Sequence, residues 1–160
     1  MTIQKSNAQI VQAHSKTVYR LAYAMLQNRS DADDVYQEVF LRYVKRQPVF
    51  NDAGHEKAWF IRVTSNCAKS FACAPFRKRT QQLTDDCDSY CMDEQSIQLR
   101  ELVNRLEPKY RLVIHLFYYE DMAVKKMSEV LGIKQTTIRS QLMRAREILK
   151  GCAKGDVYEF

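Results

Sequence analysis

Glycine and proline are scarce, four and three in 160 residues. So small a supply of turn formers argues against a β-rich fold, and the frequent Leu, Arg, Gln, Glu and Ala favour helix throughout. No apolar run approaches the ~20 residues that a membrane span needs. The opening stretch MTIQKSNAQIVQAHSK lacks the long apolar core of a secretory signal. No membrane insertion is therefore expected, and the expected location is the cytoplasm. Cysteine is present five times, an odd and scattered count that a reducing compartment would keep as thiols. No C-x-x-C pair occurs, and Cys67, Cys73, Cys87, Cys91 and Cys152 with His14, His55 and His115 match no common zinc spacing. Neither a Gly-rich phosphate loop nor a nucleophile–base arrangement stands in the chain. The expectation is a protein without metal or cofactor, and not an enzyme.

Basic charge is in excess: 25 Lys and Arg against 19 Asp and Glu, a formal net charge of +6. A basic balance suits a polyanionic partner, nucleic acid being the commonest, and the distribution is uneven. Residues 8–46 read as helix, with Val11, Val18, Leu21, Ala22 and Met25 at helical spacing. The segment Gln27-Asn28-Arg29-Ser30 breaks that pattern. Ser30 is the expected cap of a second helix, with Asp31, Asp33 and Asp34 on its first turn, where the helix dipole favours negative charge. Val35, Val39, Phe40 and Tyr43 form its apolar stripe. Gln47 to Gly54 (QPVFNDAG) reads as a loop of turn formers. A third helix is expected from about Glu56 to Ala72, with Trp59, Phe60, Val63, Cys67 and Phe71 on its apolar side and Trp59 in the core. Pro75 should end it, before the basic run Arg77-Lys78-Arg79.

Residues 80–95 change character. They carry Asp85, Asp86, Asp88, Asp93 and Glu94, no Lys or Arg, and poor apolar periodicity, which marks a solvated tether. Helical patterning resumes at about Ser96, with Ile97, Leu99, Leu102, Val103 and Leu106, and restarts at Pro108 with Leu112, Val113, Leu116 and Phe117. The architecture expected is all-α: two small helical domains, 8–79 and 96–151, joined by a flexible linker over 80–95.

The segment VKKMSEVLGIKQTTIRSQLMRAREILK carries the strongest motif. A helix-turn-helix needs a short first helix, a tight turn and a second helix packed across it. Gly132 supplies a turn residue free to take positive φ. Met127, Val130, Leu131 and Ile133 can pack inward against Ile138, Leu142, Ala145 and Leu149, and Thr136 or Thr137 can cap the second helix. The outward face then holds Gln135, Thr136, Arg139, Ser140, Met143, Arg144 and Arg146. Over residues 134–150 five basic groups stand against one acidic group, a face suited to DNA.

On these residues the chain resembles the sigma-70 family. The stretch from LEPKYRLVIHLFYYED through the helix-turn-helix is similar to its region 4, which reads the minus-35 promoter element in the major groove. VYRLAYAMLQNRSDADDVYQEVFLRYVKR is similar to the start of region 2, whose acidic helix docks on the β′ clamp helices of core RNA polymerase. AWFIRVTSNCAKSFACAPFRKR is similar to the rest of region 2, which captures the minus-10 element. The length leaves room for regions 2 and 4 and a short linker alone, the plan of the extracytoplasmic-function (ECF) subfamily. The resemblance implies a promoter-specificity factor with core polymerase (β′ clamp helices and β flap), promoter DNA and an anti-sigma factor as partners.

It also implies site residues. Asp31, Asp33, Asp34, Gln37 and Glu38 would dock on polymerase. Phe50, Asn51, Asp52, Ala53, Gly54 and His55 would form a loop receiving a flipped base, with Arg62, Asn66, Arg77, Lys78 and Arg79 as further minus-10 contacts. Arg139, Ser140 and Met143 would face the minus-35 bases, and Lys134, Thr136, Thr137, Gln141, Arg144 and Arg146 its backbone. Three positions depart from the family pattern: Ala123, where Ser or Thr often caps the helix; Ser65, before Asn66; and Gln141, where Arg is frequent. The alternative is a stand-alone helix-turn-helix regulator, which would dimerise and would have no use for the acidic docking helix.

Overall fold

Ser6 sets the start of the first helix. Its hydroxyl accepts the Gln9 amide while the Gln9 side chain accepts the Ser6 amide, a capping box that satisfies two end donors at once. Helix α1 (Asn7–Leu26) ends at Gln27 in the left-handed region, φ 56°. Helix α2 (Arg29–Arg46) begins at once, capped by Asn28, whose side chain accepts the Asp31 amide at 3.1 Å. The expected cap, Ser30, instead lies inside the first turn. Asn28 sits two positions earlier with extended backbone and an equally good acceptor, so the helix starts there. Helix α3 (Ala53–Ala72) is capped by Asp52, which accepts the His55 amide at 2.7 Å. It therefore starts three residues before the expected Glu56.

The computed structural model describes residues 5–73 and 101–153, which divide into two units, one within Met1–Gln82 and one within Leu83–Phe160. All the described elements are helical. The expected linker 80–95 lies outside the described residues, as do Ile97 and Leu99.

In the first unit α1, α2 and α3 each pack on the other two, so no helix is peripheral. Phe60, fully buried, is the hub. His14 stacks on it at 4.4 Å between ring centroids, and Trp59, Phe40, Tyr43 and Phe50 ring it at 4.9, 5.5, 5.6 and 6.4 Å. Such tilted and edge-on pairs add to the area they bury. The α2 stripe Val35, Val39, Phe40 and Tyr43 is buried as expected, and Trp59 packs partly buried against the same core. One buried polar pair crosses it: His14 Nε2 of α1 meets Glu56 Oε1 of α3 at 2.6 Å, with Lys5 Nζ at 3.4 Å from the same oxygen.

The second unit opens, within the described residues, on a helical stretch at 101–104 that breaks before Pro108. Helix α4 (Pro108–Ile114) follows, with proline where its missing N–H is no loss. The Arg111 guanidinium is buried and donates to the Leu106 carbonyl across this break, and burial pulls its pKa down to about 10. The continuous helix expected beyond Ile114 is not formed. His115–Tyr119 widens into a π-helical turn, with the Glu120 amide reaching back to the His115 carbonyl, and Asp121 takes φ 54°. The extra residue in the turn keeps Leu116 buried while turning Tyr118 and Tyr119 outward. Helix α5 (Val124–Leu131), Gly132 and helix α6 (Gln135–Ala153) complete the unit. Met127, Val130, Ile138, Leu142, Ala145 and Leu149 are buried, as the spacing required.

Two stability changes follow. Phe60→Ala should cost about 3–5 kcal/mol, seen as an earlier unfolding midpoint in the fluorescence of Trp59, the chain's single tryptophan. Gly132, at φ 69°, should tolerate Asn better than Ala. The Ala variant carries left-handed strain of ~1–2 kcal/mol, measurable as a lower helix-melting temperature.

Candidate polymerase and nucleic-acid interfaces

Helix α2 turns its core stripe inward and leaves Asp33, Asp34, Gln37 and Glu38 exposed, with Asp31 half-buried in the first turn. Glu38 is held by Arg42 at 3.0 Å, one turn on. The same side of the helix continues with Leu41 and Val44, 53% and 46% exposed. Two apolar side chains in water beside an acidic cluster make a face suited to a protein partner. The sequence reading missed them. The signal was available: with residues 35, 39 and 43 inward, position 41 must point outward.

The expected base-receiving loop is only partly a loop. Ala53, Gly54 and His55 form the first turn of α3, and Asp52 is its cap. Gly54, a turn former by type, is helical here because Asp52 ahead of it is a strong cap. Phe50 is half-buried among Tyr43, Trp59 and Phe60, so it anchors the segment to the core. Asn51, Asp52, Ala53, Gly54 and His55 are exposed. The Asn51 amide donates to His55 Nδ1 at 3.2 Å, which folds the segment back over the start of α3. Further along α3, Arg62 and Asn66 are exposed on the same side as His55, at spacings of seven and eleven residues. Ser65 is buried, its hydroxyl turned to the Arg62 carbonyl at 2.9 Å, so its position contributes nothing to that face. Arg77, Lys78 and Arg79 lie outside the described residues.

Two perturbed groups explain the chemistry of this core. Burial, and then the Glu56 carboxylate, push the Tyr43 phenol up, so it keeps its proton. Burial likewise pushes the Cys67 thiol up, making it a packing group rather than a nucleophile.

In the second unit Gly132 closes α5 with its amide on the Ser128 carbonyl, and Ser128 Oγ donates to the Ile133 carbonyl at 2.6 Å. These two bonds fix the turn. Ala123, as its chemistry dictates, gives α5 no side-chain cap. Helix α6 starts at Gln135, so Thr136 and Thr137 sit inside its first turn and do not cap it; the Ile138 amide bonds the Lys134 carbonyl. Lys134, Thr136, Thr137, Arg139, Ser140, Met143 and Arg144 are exposed, Met143 by 59%. Arg139 leans on Gln135 Oε1 at 3.3 Å.

Two expected backbone contacts are placed differently. Gln141 is half-buried, with its Oε1 buried and without a hydrogen-bond partner among the described residues. Arg146 is exposed but engaged: its Nε donates to the Tyr118 hydroxyl at 2.8 Å, and its guanidinium lies 5.3 Å and 5.6 Å from the Phe117 and Tyr118 rings. The π-helical turn creates this clasp, which no local periodicity announces.

Among the described residues no His, Cys, Asp and Glu gather as a metal site, and no helix is long and apolar enough to cross a membrane.

Family models for Sigma-70 region 2 and for Sigma-70, region 4 match residues 10–74 and 96–149. The chain is 28% identical over 153 residues to the ECF RNA polymerase sigma factor SigE of Mycolicibacterium smegmatis, with 89% of this chain aligned to 59% of that longer protein. To the ECF RNA polymerase sigma factor SigW of Bacillus subtilis it is 26% identical, covering 92% of this chain and 88% of the relative. Its fold is similar to that of the sigma factor RpoE of Bartonella quintana, solved with the anti-sigma factor NepR: TM-score 0.72 at 20% identity, over 94% of this chain and 98% of that one. Two region models in the family's order, each on its own helical unit, together with relatives of matching plan, place this chain in the ECF subfamily of the sigma-70 family.

Proposed function

We propose that this chain is a promoter-specificity factor: it binds core RNA polymerase, carries it to particular promoters and helps to open them. It performs no catalysis of its own. The observation that carries the reading is the joint presence of two surfaces that a stand-alone regulator would not combine. One is the acidic and apolar outer face of α2, shaped for a protein. The other is the basic outer face of α6, shaped for a groove.

The division of labour follows from chemistry. Asp33, Asp34, Gln37 and Glu38, with Leu41 and Val44, dock on the β′ clamp helices. Exposed Asn51 to His55, with Arg62 and Asn66, meet the unstacked minus-10 strand, and Arg77, Lys78 and Arg79 are proposed phosphate contacts. Opening DNA without ATP requires trapping unstacked bases, and a short segment beside cationic groups can do this. In region 4 Arg139, Ser140 and Met143 read base edges. Arg can take guanine bidentately, and an apolar tip suits a thymine methyl. Lys134, Thr136, Thr137 and Arg144 hold the backbone. Gln141 and Arg146 are weaker candidates, one being half-buried and the other clasped by Tyr118. The proposed linker 80–95 joins domains 8–79 and 96–151, and core polymerase holds both in register, so each domain alone binds weakly. An anti-sigma factor is the proposed negative regulator, and the cytoplasm the proposed location.

The deciding experiment is run-off transcription on genomic DNA with core polymerase, with and without the purified chain. New, discrete start sites are expected; a chain that binds DNA but never associates with core enzyme would be a stand-alone regulator. Asp33→Arg combined with Leu41→Ser should weaken core association at least tenfold while leaving the melting temperature nearly unchanged, because both side chains are exposed. Arg139→Ala should relax selection at one minus-35 base pair, a change of about 1–3 kcal/mol. Arg144→Ala should instead weaken all sites alike and lower the salt-dependence slope by about one.

A further inference from the structure

His55 holds the segment that precedes α3 through a bond that only one of its protonation states can make. Its Nδ1 receives the Asn51 backbone amide at 3.2 Å. An amide N–H can only donate, so Nδ1 must carry a lone pair. That fixes the neutral ring with its proton on Nε2. The ring is positioned on two further sides: its own backbone amide is tied to Asp52 Oδ1 at 2.7 Å, and Phe50 meets it edge-on at 5.4 Å. Phe50 in turn is wedged into the Tyr43–Trp59–Phe60 cluster. The exposed His55 side chain shares its side of α3 with Arg62 and Asn66. A second proton on the imidazole would occupy Nδ1 and leave the Asn51 amide facing a donor.

Among the described residues, three charged groups flank the ring along the chain. On its own segment there is Asp52, whose Oδ1 accepts the His55 amide. The next residue, Glu56, is turned inward to His14 and Lys5 at the α1 side, and Lys57 is exposed one position further. None of these offers the Asn51 amide a second acceptor in the geometry described.

Taking the minus-10 reading above as its basis, we infer that His55 is a positioning residue for strand capture. In its neutral state it holds Asn51 and the 50–52 segment in the shape that accepts an unstacked base. Protonation releases that segment, so promoter opening, and not promoter binding, falls as pH drops.

The test uses full-length chain with core polymerase on a promoter that the complex transcribes. Permanganate reactivity of the minus-10 thymines reports opening, and filter retention reports total binding. His55→Asn places an amide near the Nδ1 position and stays uncharged. His55→Gln places it near Nε2, out of reach of Asn51. As pH falls from about 8 to about 6, wild type should lose opening several-fold relative to His55→Asn. Wild type and His55→Asn are each normalised to their own opening at the upper end, so that comparison is between pH profiles and not between absolute activities. His55→Gln should open poorly at every pH with binding retained. In the free protein, Trp59 emission, 6.1 Å by ring centroid from Phe50, should shift with pH by more in wild type than in His55→Asn, the difference between the two isolating His55 because His14 and His115 are present in both. Parallel pH profiles for wild type and His55→Asn overturn the inference, as does rescue by Gln in place of Asn. Failure of wild type to open any promoter with core enzyme overturns the functional reading itself, and this inference with it.

Discussion

Phe60 is the point where the three helices of the first unit meet, and the positions of both proposed surfaces in that unit are set by what packs on it. Its ring takes His14 from α1, Phe40 and Tyr43 from α2, and Phe50 from the connecting segment. Because α2 is fixed by its inward stripe, its outer face presents carboxylates and Leu41 at one defined rotation. Because α3 begins beside the same cluster, the short segment before it is laid against aromatic rings instead of hanging free. Dense aromatic packing of this kind resists small rotations of the helices. The surfaces are rigid to the extent that the hub is full.

The second unit solves a different problem with different means. Eight-residue α5 is too short to be stable alone, and it has no side-chain cap at Ala123. Its place is fixed by Met127 and Val130 beneath it and by the tight turn at Gly132, where the Ser128 hydroxyl ties down the Ile133 carbonyl. Helix α6, more than twice as long, then offers its outer side with the inner side committed to Ile138, Leu142, Ala145 and Leu149. The clasp between Arg146 and Tyr118 leaves the charge in place but ties one of the guanidinium donors and fixes where that cation stands on the outer side. A count of basic residues along α6 therefore overstates the number free to adjust to phosphate.

Much of this is legible in the amino-acid sequence. The inward residues of α2 and of the helix-turn-helix follow from period-3.6 spacing, and all four positions named on α6 are buried. Gly132 was readable because only a left-handed residue makes so tight a turn without strain. The differences have several causes. Asn28 in place of Ser30 is a choice between neighbouring side chains of nearly equal capping power, decided by which backbone is extended. The start of α3 ahead of Glu56 follows from Asp52, a strong cap that is also an ordinary turn former by type. The π-helical turn, the Tyr118 clasp and the half-burial of Gln141 depend on contacts across the unit, which local periodicity does not encode. The outward Leu41 is different: with Val35, Val39 and Tyr43 inward, its phase on the helix alone points it to solvent.

The pairing of His14 with Glu56 constrains how this sequence can drift. Removing Glu56 strands the buried His14 nitrogen, a loss on the order of 1–3 kcal/mol, and removing His14 leaves the buried Glu56 carboxylate with Lys5 alone; either is a sizeable share of the stability of a small domain. Replacing both with apolar side chains of similar volume can be neutral. The two positions are thus joined in descent although 42 residues separate them in the chain. Lineages cross from the polar pair to an apolar one only through a destabilised intermediate or by near-simultaneous change, so codons 14 and 56 are expected to be inherited as a unit.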